Sequence, residues 1–518
     1  MSHPVAFRRR SVWAAVLAGG LLLFGVATSW AERLSRITLL HFNDIYEIAP
    51  QREIGGFAPL MTLIEQERQR YPHTLLTFGG DLLSPSVISY LTQGREMITL
   101  SNALGIDLAV LGNHEFDFGP VVLAKRIQES RFKWLASNVQ VAGGQPFPGT
   151  LQTAIRAMDG VQVGFIGLLT QSTASLANVE GQVVFVDPIA TAKQLIPQLK
   201  QQGAEVIVAL THQSLAEDEA LARGVEDLDI ILGGHDHDVT VRNIGKSWIL
   251  KAASDGHHLV VADLTIIRPN AGEKGKSHII PNLHQLSTFR MAAHPLLQTL
   301  VEEVDGRLRG DLGRVLGQTA TELDSRESTV RERESAMGNL FADAIQAETK
   351  ADAVLFNGGS LRGNRLYAAG TSLTYGDIFR ESPFGNTVVL LEVSEETLWQ
   401  ALEHGLSLLG QGAGRFPQVA GLSCRYDPKR PPGSRILSVQ LGRKGQESLP
   451  LQRNGQRMVR LGTNDYLARG GDGYRMLVGA RSLINAEAGK LFSMVVMEYL
   501  QQHPSVAQRV EGRMVAAE

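Results

Sequence analysis

The chain has 518 residues, of which 43% are hydrophobic and 20% are charged. This length and composition exclude a disordered or fibrous chain and allow two or more domains with extensive cores. The net charge of -3 and the pI near 6.6 provide no basic surface for a nucleic-acid polymer, whereas a single nucleotide is compatible with them.

The N-terminus has the pattern of a secretory signal. A basic run at residues 8–10 precedes an uncharged, largely apolar run over residues 11–31, which ends in a small-x-small sequence at Ala31. We therefore predict a signal peptide over residues 1–31 and a periplasmic or secreted mature chain. The apolar run is also long enough to span a bilayer, so an uncleaved membrane anchor is the alternative.

Apolar periodicity after the signal predicts alternating helices and strands. Helical spacing indicates helices over residues 57–70 and 189–201, and apolar runs indicate strands over residues 161–169 and 258–267. We expect two sheets packed face to face between helices. A further helical pattern over residues 293–308 predicts one long helix that joins two domains.

Five predicted strands are each followed by polar side chains. Four of them are the runs 37–42, 74–78, 206–210 and 228–232, and the fifth precedes Leu111. The polar groups that follow are, in chain order, Asn43 and Asp44, Asp81, Asn113 with His114 and Glu115, His212, and His235 with His237. Because the loops beyond the carboxyl ends of parallel strands converge on one crevice, we expect these side chains to share one pocket.

A pocket of carboxylates, an amide and imidazoles suits zinc, manganese, iron or similar divalent ions. Two such ions can hold both the attacking and the leaving oxygen of a phosphoryl displacement. Each cluster alone is also an ordinary strand-to-helix turn, but five clusters in series favour a metal site. His41, His257 and His258 belong to no cluster, and we interpret them as structural or surface histidines.

Cys424 is the only cysteine in the chain. A single thiol can form neither an intramolecular disulfide nor a thiolate cage for a metal.

The chain after about Val315 carries four further candidate segments. They are residues 333–339 before the helical run 340–347, residues 357–362 after the strand run 353–356, and the turn sequences 383–386 and 464–474. Aromatic rings can stack a nucleobase, and arginine matches a phosphate by paired hydrogen bonds. The alternative is that Phe384 and Tyr466 are core aromatics. Turn sequences tend to lie at the surface, which favours binding.

These motifs resemble those of a known family. The order Asn-Asp, Gly-Asp, Gly-Asn-His-Glu, Thr-His, Gly-His-x-His resembles the calcineurin-like metallophosphatases, and GNHEFDFG, GGHDH and the four C-terminal segments resemble the 5′-nucleotidase branch. The resemblance implies an α/β fold. A metallophosphatase β-sandwich flanked by helices would cover residues 34–290, a linker helix residues 291–314, and a C-terminal α/β nucleotide-binding domain residues 315–518.

The resemblance also implies roles for individual residues and two divalent ions, which would be zinc, manganese, cobalt or iron. One ion would lie among Asp44, Asp81 and His237, and the other among Asp81, Asn113, His212 and His235, with Asp81 as the bridge. His114 and Asp117 would be the catalytic pair. The nucleotide would be held by Phe384 and Tyr466 around the base, Asp472 at the ribose, and Arg333, Asn357 and Arg362 at the phosphate or base edge.

The first cluster departs from the family pattern. The family has Asn-Asp-x-His, with that His a ligand, whereas this chain has Asn43-Asp44-Ile45-Tyr46. A phenol has an unperturbed pKa of about 10 and is a poor ligand until it is deprotonated, although a bound cation can lower that value. Either Tyr46 binds as phenolate, which favours a harder ion such as ferric iron, or this metal position is weaker than in the relatives.

The expected activity is hydrolysis of nucleoside 5′-monophosphates, with a small nucleotide as partner and neither a nucleic-acid polymer nor, after signal removal, a membrane. The sequence leaves the oligomeric state open. Alternatives are a 2′,3′-cyclic nucleotide, a nucleoside diphosphate sugar or a dinucleotide as substrate, hydrolysis of a carrier-bound sulfur group, and nucleotide binding without hydrolysis. The predicted base sandwich argues against the sulfur substrate, and His114 with Asp117 argues against a binding protein.

Overall fold

The computed structural model describes residues 33–176, 179, 183–268, 277–442 and 448–517. The predicted signal over residues 1–31 lies outside this set. Within the described residues, no helix combines the length and the apolar character needed to cross a bilayer.

The N-terminal part alternates strands and helices. Its strands are β1 (Arg33–Phe42), β2 (Thr74–Phe78), β3 (Leu108–Val110), β4 (Lys133–Leu135), β5 (Val139–Val141), β6 (Thr153–Met158), β7 (Val161–Leu169), β8 (Val183–Phe185), β9 (Val206–His212), β10 (Ile230–Gly233), β11 (Val239–Ile244), β12 (Ser247–Ala252), β13 (His258–Arg268) and β14 (His278–Ser287). Its helices are α1 (Phe57–Arg70), α2 (Val87–Thr92), α3 (Arg95–Leu104), α4 (Pro120–Glu129), α5 (Thr173–Leu176), α6 (Pro188–Gln201) and α7 (Leu215–Gly224).

Two six-stranded sheets form the N-terminal part. Their strand orders are β14-β13-β1-β2-β3-β4 and β11-β12-β10-β9-β7-β6. The pairs β1–β2, β2–β3, β7–β9 and β9–β10 are parallel, so the carboxyl ends of these strands lie along one edge of each sheet. One continuous core includes Leu39 and Leu40 from the first sheet and Val163 and Val206 from the second. The expected pair of facing sheets is therefore confirmed.

Local sequence explains where the predicted elements begin and end. The predicted helix 57–70 coincides with α1, whose apolar residues Leu60, Leu63 and Ile64 are buried at helical spacing. The helix predicted from residue 189 begins one residue earlier, because Asp187 caps the amide of Ala190 and a proline occupies the first helical position.

The predicted joining helix is α8 (Pro295–Asp311). Its buried residues Leu297, Val301 and Val304 belong to the core of the N-terminal sheets. The helix therefore packs against the N-terminal part and connects it to the C-terminal part.

The C-terminal part contains a second set of sheets. Its strands are β15 (Val315–Thr319), β16 (Leu323–Asp324), β17 (Ala353–Asn357), β18 (Leu366–Tyr367), β19 (Ser372–Thr374), β20 (Val388–Ser394), β21 (Pro417–Ala420), β22 (Leu422–Tyr426), β23 (Ile436–Leu441), β24 (Leu449–Pro450), β25 (Met458–Asn464), β26 (Arg481–Ile484), β27 (Ser505–Val506) and β28 (Met514–Ala516). Its helices are α9 (Glu327–Val330), α10 (Ala336–Thr349), α11 (Tyr375–Glu381), α12 (Glu395–Gly405), α13 (Asp465–Ala468) and α14 (Phe492–Gln502).

The five-stranded sheet β21-β17-β25-β20-β26 has a hydrophobic core on each face. Along β17, Val354 and Phe356 pack with α10 and α14, whereas Ala353 and Leu355 pack with α12. This alternation follows from the two-residue period of a strand. The C-terminal part is therefore an α/β layer structure with its own cores, as the sequence predicts.

Candidate functional site

The five polar clusters meet at the carboxyl ends of strands from both N-terminal sheets. Asp44 follows β1, Asp81 follows β2 and Asn113 follows β3, all in the first sheet. His212 is the last residue of β9, and His235 follows β10, both in the second sheet. The expected convergence is therefore present, and the two sheets contribute opposite sides of the pocket.

Asp81, His212 and His235 form a buried group whose possible ligand atoms all lie within 4.8 Å of one another. His212 Nε2 lies 3.0 Å from Asp81 Oδ2, 3.1 Å from Asn113 Oδ1 and 3.3 Å from His235 Nδ1. His212 Nδ1 donates to the carbonyl of Gly79 at 2.8 Å, so Nε2 is the ring nitrogen that faces the other groups and can bind a cation once it has lost its proton. A cation fits among these side chains, because their nitrogen and oxygen atoms lie close enough together to bind one ion.

Asp44, His237 and Tyr46 form the adjoining half of the site. His237 Nε2 lies 3.3 Å from Asp44 Oδ1, and the phenol oxygen of Tyr46 lies 3.0 Å from His237 Nε2. The Tyr46 hydroxyl donates to Asp44 Oδ1 at 3.1 Å and reaches Asp81 Oδ2 at 3.4 Å. The phenol thus points into the site between both carboxylates.

The backbone at the site is strained in the places that bring these side chains together. Asp44, Asp81, His235 and His237 have positive φ angles between 52° and 84°. Such conformations are costly for residues other than glycine and cluster at functional sites. Gly112 also allows the loops after β2 and β3 to approach each other closely, since a Cβ on this residue would lie 2.1 Å from Asp81 Oδ1.

Glu115 supports the site from beneath, in a role that the sequence did not assign to it. Its buried carboxylate accepts hydrogen bonds from the backbone amides of Gly112 at 2.6 Å, Leu82 at 2.7 Å and Asp81 at 3.0 Å. Burial and the charge of Asp81 raise the pKa of Glu115 to about 7. The residue therefore ties the loop after β2 to the loop after β3.

Neighbouring charges set the protonation of the buried groups. Burial lowers the pKa of His212, but Asp81 and Asp44 outweigh it and raise that pKa to about 9. Burial and the neighbouring His212 lower the pKa of His235 to about 3. Burial raises the pKa of Asp44, but His212 and His237 more than reverse this and hold it far below its ordinary value. The carboxylate of Asp44 and the neutral His235 are thus ready to bind a cation, since ligands must be deprotonated.

The pKa of Tyr46 is raised, whereas that of the neighbouring Asp44 is lowered. Burial, followed by the charges of Asp44 and Asp81, raises the pKa of its phenol well above 10. The protein groups around Tyr46 therefore favour the neutral phenol.

His114 and Asp117 lie beside this cluster on a short turn. His114 Nδ1 lies 2.8 Å from Asp117 Oδ2, and His114 Nε2 lies 2.8 Å from the carbonyl oxygen of Glu487 in the C-terminal part. Both partners are acceptors, so both ring nitrogens donate. Burial lowers the pKa of His114, but Asp117 and Asp81 outweigh it and raise that pKa to about 10.

A second pocket lies in the C-terminal part and has a volume of about 450 Å³. It is lined by Arg331, Asn357, Gly359, Ser360, Arg362, Phe384, Asn386, Gly414, Tyr466 and Asp472. Phe384 and Tyr466 are 46% and 40% exposed, so neither is a core aromatic. Asp472 is held in place, because Asn357 donates to it at 2.8 Å and the Tyr466 hydroxyl at 3.0 Å.

Five of the six sequence-predicted substrate residues line this pocket, and Arg333 does not. Arg333 is exposed, and its guanidinium donates to Thr329 Oγ1 at 3.5 Å. Arg331 lines the pocket in its place and is held by Glu327 at 2.7 Å. Arg331 lies two residues before the candidate segment 333–339, and of these two arginines only Arg331 lines the pocket from the turn after α9.

The histidines outside the clusters have structural surroundings. Buried His41 pairs with Thr77 Oγ1 at 2.9 Å and with the carbonyl of Gly233 at 3.1 Å, and it thereby links β1 to β10. His257 and His258 are partly exposed. The sequence interpretation of these three residues agrees with their positions.

A cleft between the two parts of the molecule connects the site with the pocket. The cleft has a volume of about 500 Å³, and its lining includes Tyr46, His237, Phe384 and Glu487. Phe384 lines the pocket as well. The metal-type cluster and the aromatic pocket are therefore contiguous.

The His114–Asp117 pair predicts a specific pH dependence in the metal-free protein. Because the folded pKa of about 10 exceeds the unfolded value of about 6.5, the pair stabilises the fold fully below about pH 6.5, and this stabilisation is lost as the pH rises through about 10. Asp117→Asn should lower the pKa of His114 in an NMR titration and destabilise the fold more at neutral than at strongly alkaline pH.

The control for this prediction is Asp159→Asn, which breaks the exposed pair of Asp159 with His73 at 3.6 Å. An exposed pair contributes about 0 to 1 kcal/mol, so this variant should change the unfolding free energy little. Equal losses in both variants at every pH would contradict the assignment.

Two protein families match the chain. Residues 37–239 match the calcineurin-like phosphoesterase family, and residues 315–479 match the 5′-nucleotidase C-terminal domain family. The snake venom 5′-nucleotidase of Crotalus adamanteus is 28% identical over 99% of this chain and 92% of its own length. The 5′-nucleotidase of Homo sapiens is 27% identical over 96% of this chain and 93% of its own length.

Solved structures show the same architecture. The 5′-nucleotidase precursor from Thermus thermophilus aligns with a TM-score of 0.54 and 26% identity, covering 93% of this chain and 100% of that chain. The NAD nucleotidase of Haemophilus influenzae has the same fold, with a TM-score of 0.79 and 20% identity over 94% of this chain and 100% of its own. With a metal-dependent phosphoesterase domain followed by a 5′-nucleotidase C-terminal domain, the chain belongs to the 5′-nucleotidase family of calcineurin-like phosphoesterases.

Proposed function

We propose that this chain hydrolyses nucleoside 5′-monophosphates to a nucleoside and inorganic phosphate. The observation that carries the proposal is the continuity of two spaces at Phe384. This ring lines the pocket with Tyr466 and Asp472, and it also lines the cleft with Tyr46 and His237. A nucleotide fits this arrangement, because it has a flat base at one end and an anionic group at the other.

In this proposal two divalent ions, drawn from zinc, manganese, cobalt or iron, occupy the carboxylate and histidine cluster. The residues that would hold them are Asp81, Asn113, His212 and His235 for one ion, and Asp44, Asp81 and His237 for the other, with Asp81 shared. When bound, such ions lower the pKa of water toward neutrality and stabilise charge on phosphoryl oxygens. The convergence of ligand atoms within 4.8 Å supports the first position most directly.

His114 and Asp117 are the proposed catalytic pair. In the metal-free protein, burial lowers the pKa of His114, but Asp117 and Asp81 outweigh it and raise that pKa to about 10. His114 can therefore donate a proton or a charged hydrogen bond from Nε2 to a phosphoryl or leaving oxygen. Asp117 binds Nδ1 at 2.8 Å and orients the ring for that donation.

The aromatic pocket is the proposed site of the nucleoside. Phe384 and Tyr466 would stack on the two faces of the base, and Asp472 would accept hydrogen bonds from ribose hydroxyls. Arg331 and Arg362 supply positive charge at the edge of the pocket, and the Arg362 guanidinium lies 5.5 Å from the Phe384 ring centre. Stacking tolerates different bases, because every base has a π-face.

Turnover in this proposal requires the two parts of the molecule to separate. The carbonyl oxygen of Glu487 lies 2.8 Å from His114 Nε2, where a substrate oxygen would be bound. Tyr90 on α2 also donates to Gln501 on α14 at 2.9 Å across the same boundary. A rotation between the parts would break these contacts and admit the phosphate, and a variant crosslinked shut should then lose turnover.

Related phosphoesters are the principal alternative substrates. A 2′,3′-cyclic nucleotide, a nucleoside diphosphate sugar and a dinucleotide each present a base and a phosphoester to the same two spaces, and turnover of each beside AMP distinguishes them. A protein that only binds nucleotides would have no chemical use for the pair of His114 with Asp117.

Export and domain boundaries are proposed from the sequence. A signal over residues 1–31 would direct the chain to the periplasm or outside the cell. The phosphoesterase domain would then cover residues 34–290, the linker helix residues 291–314 and the nucleotide-binding domain residues 315–518.

The proposed activity predicts metal-dependent release of phosphate from 5′-AMP by the chain from Glu32 onward. Separate reconstitution with manganese, zinc, cobalt or iron should identify the supporting ion. His114→Ala should lower kcat by about 100- to 10,000-fold, the contribution typical of a positioned acid or base. The matched control is His278→Ala, because His278 is exposed on β14 at the edge of its sheet. Failure of every ion to support release would contradict the proposed activity.

We predict that Tyr46 weakens the metal position formed by Asp44, Asp81 and His237, and that a histidine at residue 46 would strengthen it. Its neutral phenol offers little to a cation, whereas an imidazole at the same place binds without losing a proton at neutral pH. Tyr46→His should therefore tighten the binding of Mn²⁺ by on the order of tenfold, or about 1.4 kcal/mol, in a calorimetric titration. Tyr46→Phe should leave the affinity almost unchanged. A marked loss of affinity in Tyr46→Phe would instead identify Tyr46 as a phenolate ligand.

The base pocket predicts a loss of nucleotide affinity when either ring is removed. Phe384→Ala and Tyr466→Ala should each cost about 1 to 3 kcal/mol of stacking energy, seen as a rise in KM for AMP. Hydrolysis of glycerol phosphate, which has no base, should change little in these variants. Arg331→Ala should also raise the KM for AMP, because Arg331 lines the pocket, and Arg333→Ala is its matched control, because Arg333 does not. Equal effects on AMP and glycerol phosphate would exclude base stacking.

A further inference from the structure

Lys251 is a buried lysine beneath the histidine loops. It lies on β12, directly beside β10, and its side chain is 1% exposed. Its ammonium group donates to the carbonyl of Gln213 at 2.7 Å and to the carbonyl of Gly234 at 2.9 Å. It also forms ion pairs with Asp218 at 3.0 Å and with Asp236.

The two carboxylates explain how the charge is retained in the interior. A buried ammonium is strongly unfavourable unless it is paired and hydrogen-bonded. Burial lowers the pKa of Lys251, but Asp218 and Asp236 outweigh this effect and raise it. All donor positions of the ammonium are therefore directed to fixed acceptors.

The two carbonyl contacts lie next to the metal-type histidines. Gln213 follows His212, and Gly234 precedes His235. The ladder between β9 and β10 ends at the pair Thr211–Gly233, so neither histidine is paired across these two strands, although His212 still pairs with Leu169 of β7. The ammonium of Lys251 connects the loops that follow β9 and β10 just beyond this pair.

We propose that Lys251 is a positioning residue that holds His212 and His235 at the separation at which both bind one ion. This inference rests on the metal site of the proposed function. The relevant geometry is the 3.3 Å between His212 Nε2 and His235 Nδ1. Without the ammonium, both loop carbonyls lose a common donor, and the two histidines are held less firmly at this separation.

The test is a titration of the full metal-free chain with Mn²⁺ in the absence of nucleotide. The informative variant is Lys251→Met combined with Asp218→Asn, which removes the ammonium without leaving a buried carboxylate unpaired. Loss of a group that orients metal ligands typically costs about 10- to 100-fold in affinity, so we expect a decrease of about that size. The loss should be greatest for the ion that His212 and His235 share, because each of these histidines is adjacent in sequence to a residue whose carbonyl Lys251 binds.

Lys246→Met is the matched control. Lys246 lies in the turn between β11 and β12 and pairs with Asp229 at 2.8 Å at the surface. This variant should bind both ions like the parent chain. A folded double variant with unchanged Mn²⁺ affinity would overturn the inference while leaving the metal site intact.

Asp236→Asn covers the case in which the double variant does not fold. It weakens the contact between Lys251 and the loop of His235 but retains the buried pair of Lys251 with Asp218. A selective loss of one ion supports the inference, and unchanged binding of both ions overturns it. A parent chain that binds no Mn²⁺, zinc, cobalt or iron would instead overturn the metal site on which the inference depends.

Discussion

Buried charge at the seam between two sheets is the constraint on which the rest of the structure depends. Asp44 and Asp81 are fully buried, and an isolated carboxylate in such a place would be strongly destabilising. Backbone amides, imidazoles and a proposed pair of cations compensate these charges together. The strands must therefore end at the same edge, because no single sheet supplies all of the compensating groups.

The same constraint explains the irregular backbone around the site. Four polar residues have positive φ angles, and Gly112 leaves no room for a side chain beside Asp81. Strain of this kind persists only where the surroundings determine the conformation. Glu115 helps to fix this backbone conformation, because its carboxylate accepts hydrogen bonds from amides of two different loops. The precision of the site is thus supplied by groups that do not touch a substrate.

Features with a local cause could be predicted from the sequence, and features that depend on distant partners could not. Polar residues directly after apolar runs identified the site, since strand ends converge whatever the details of packing. Glu115 contacts residues about 33 positions away, and Lys251 reaches Gln213 from 38 positions away, so neither role has a local signal. The sequence indicated Arg333 and not Arg331, which lines the pocket, for a related reason. Residues two positions apart point in different directions on a turn, and only the folded chain distinguishes them.

The contact between His114 and Glu487 also changes how the affinity of this protein should be understood. A substrate that needs the separated arrangement binds only the fraction of molecules that have it, so its apparent dissociation constant equals the intrinsic constant divided by that fraction. Under the proposed separation of the two parts, residues at their boundary, such as Tyr90 and Gln501, would set part of the substrate affinity without contacting the substrate. Substrate affinity would then depend on contacts throughout the molecule, and substitutions far from the reacting atoms would change it.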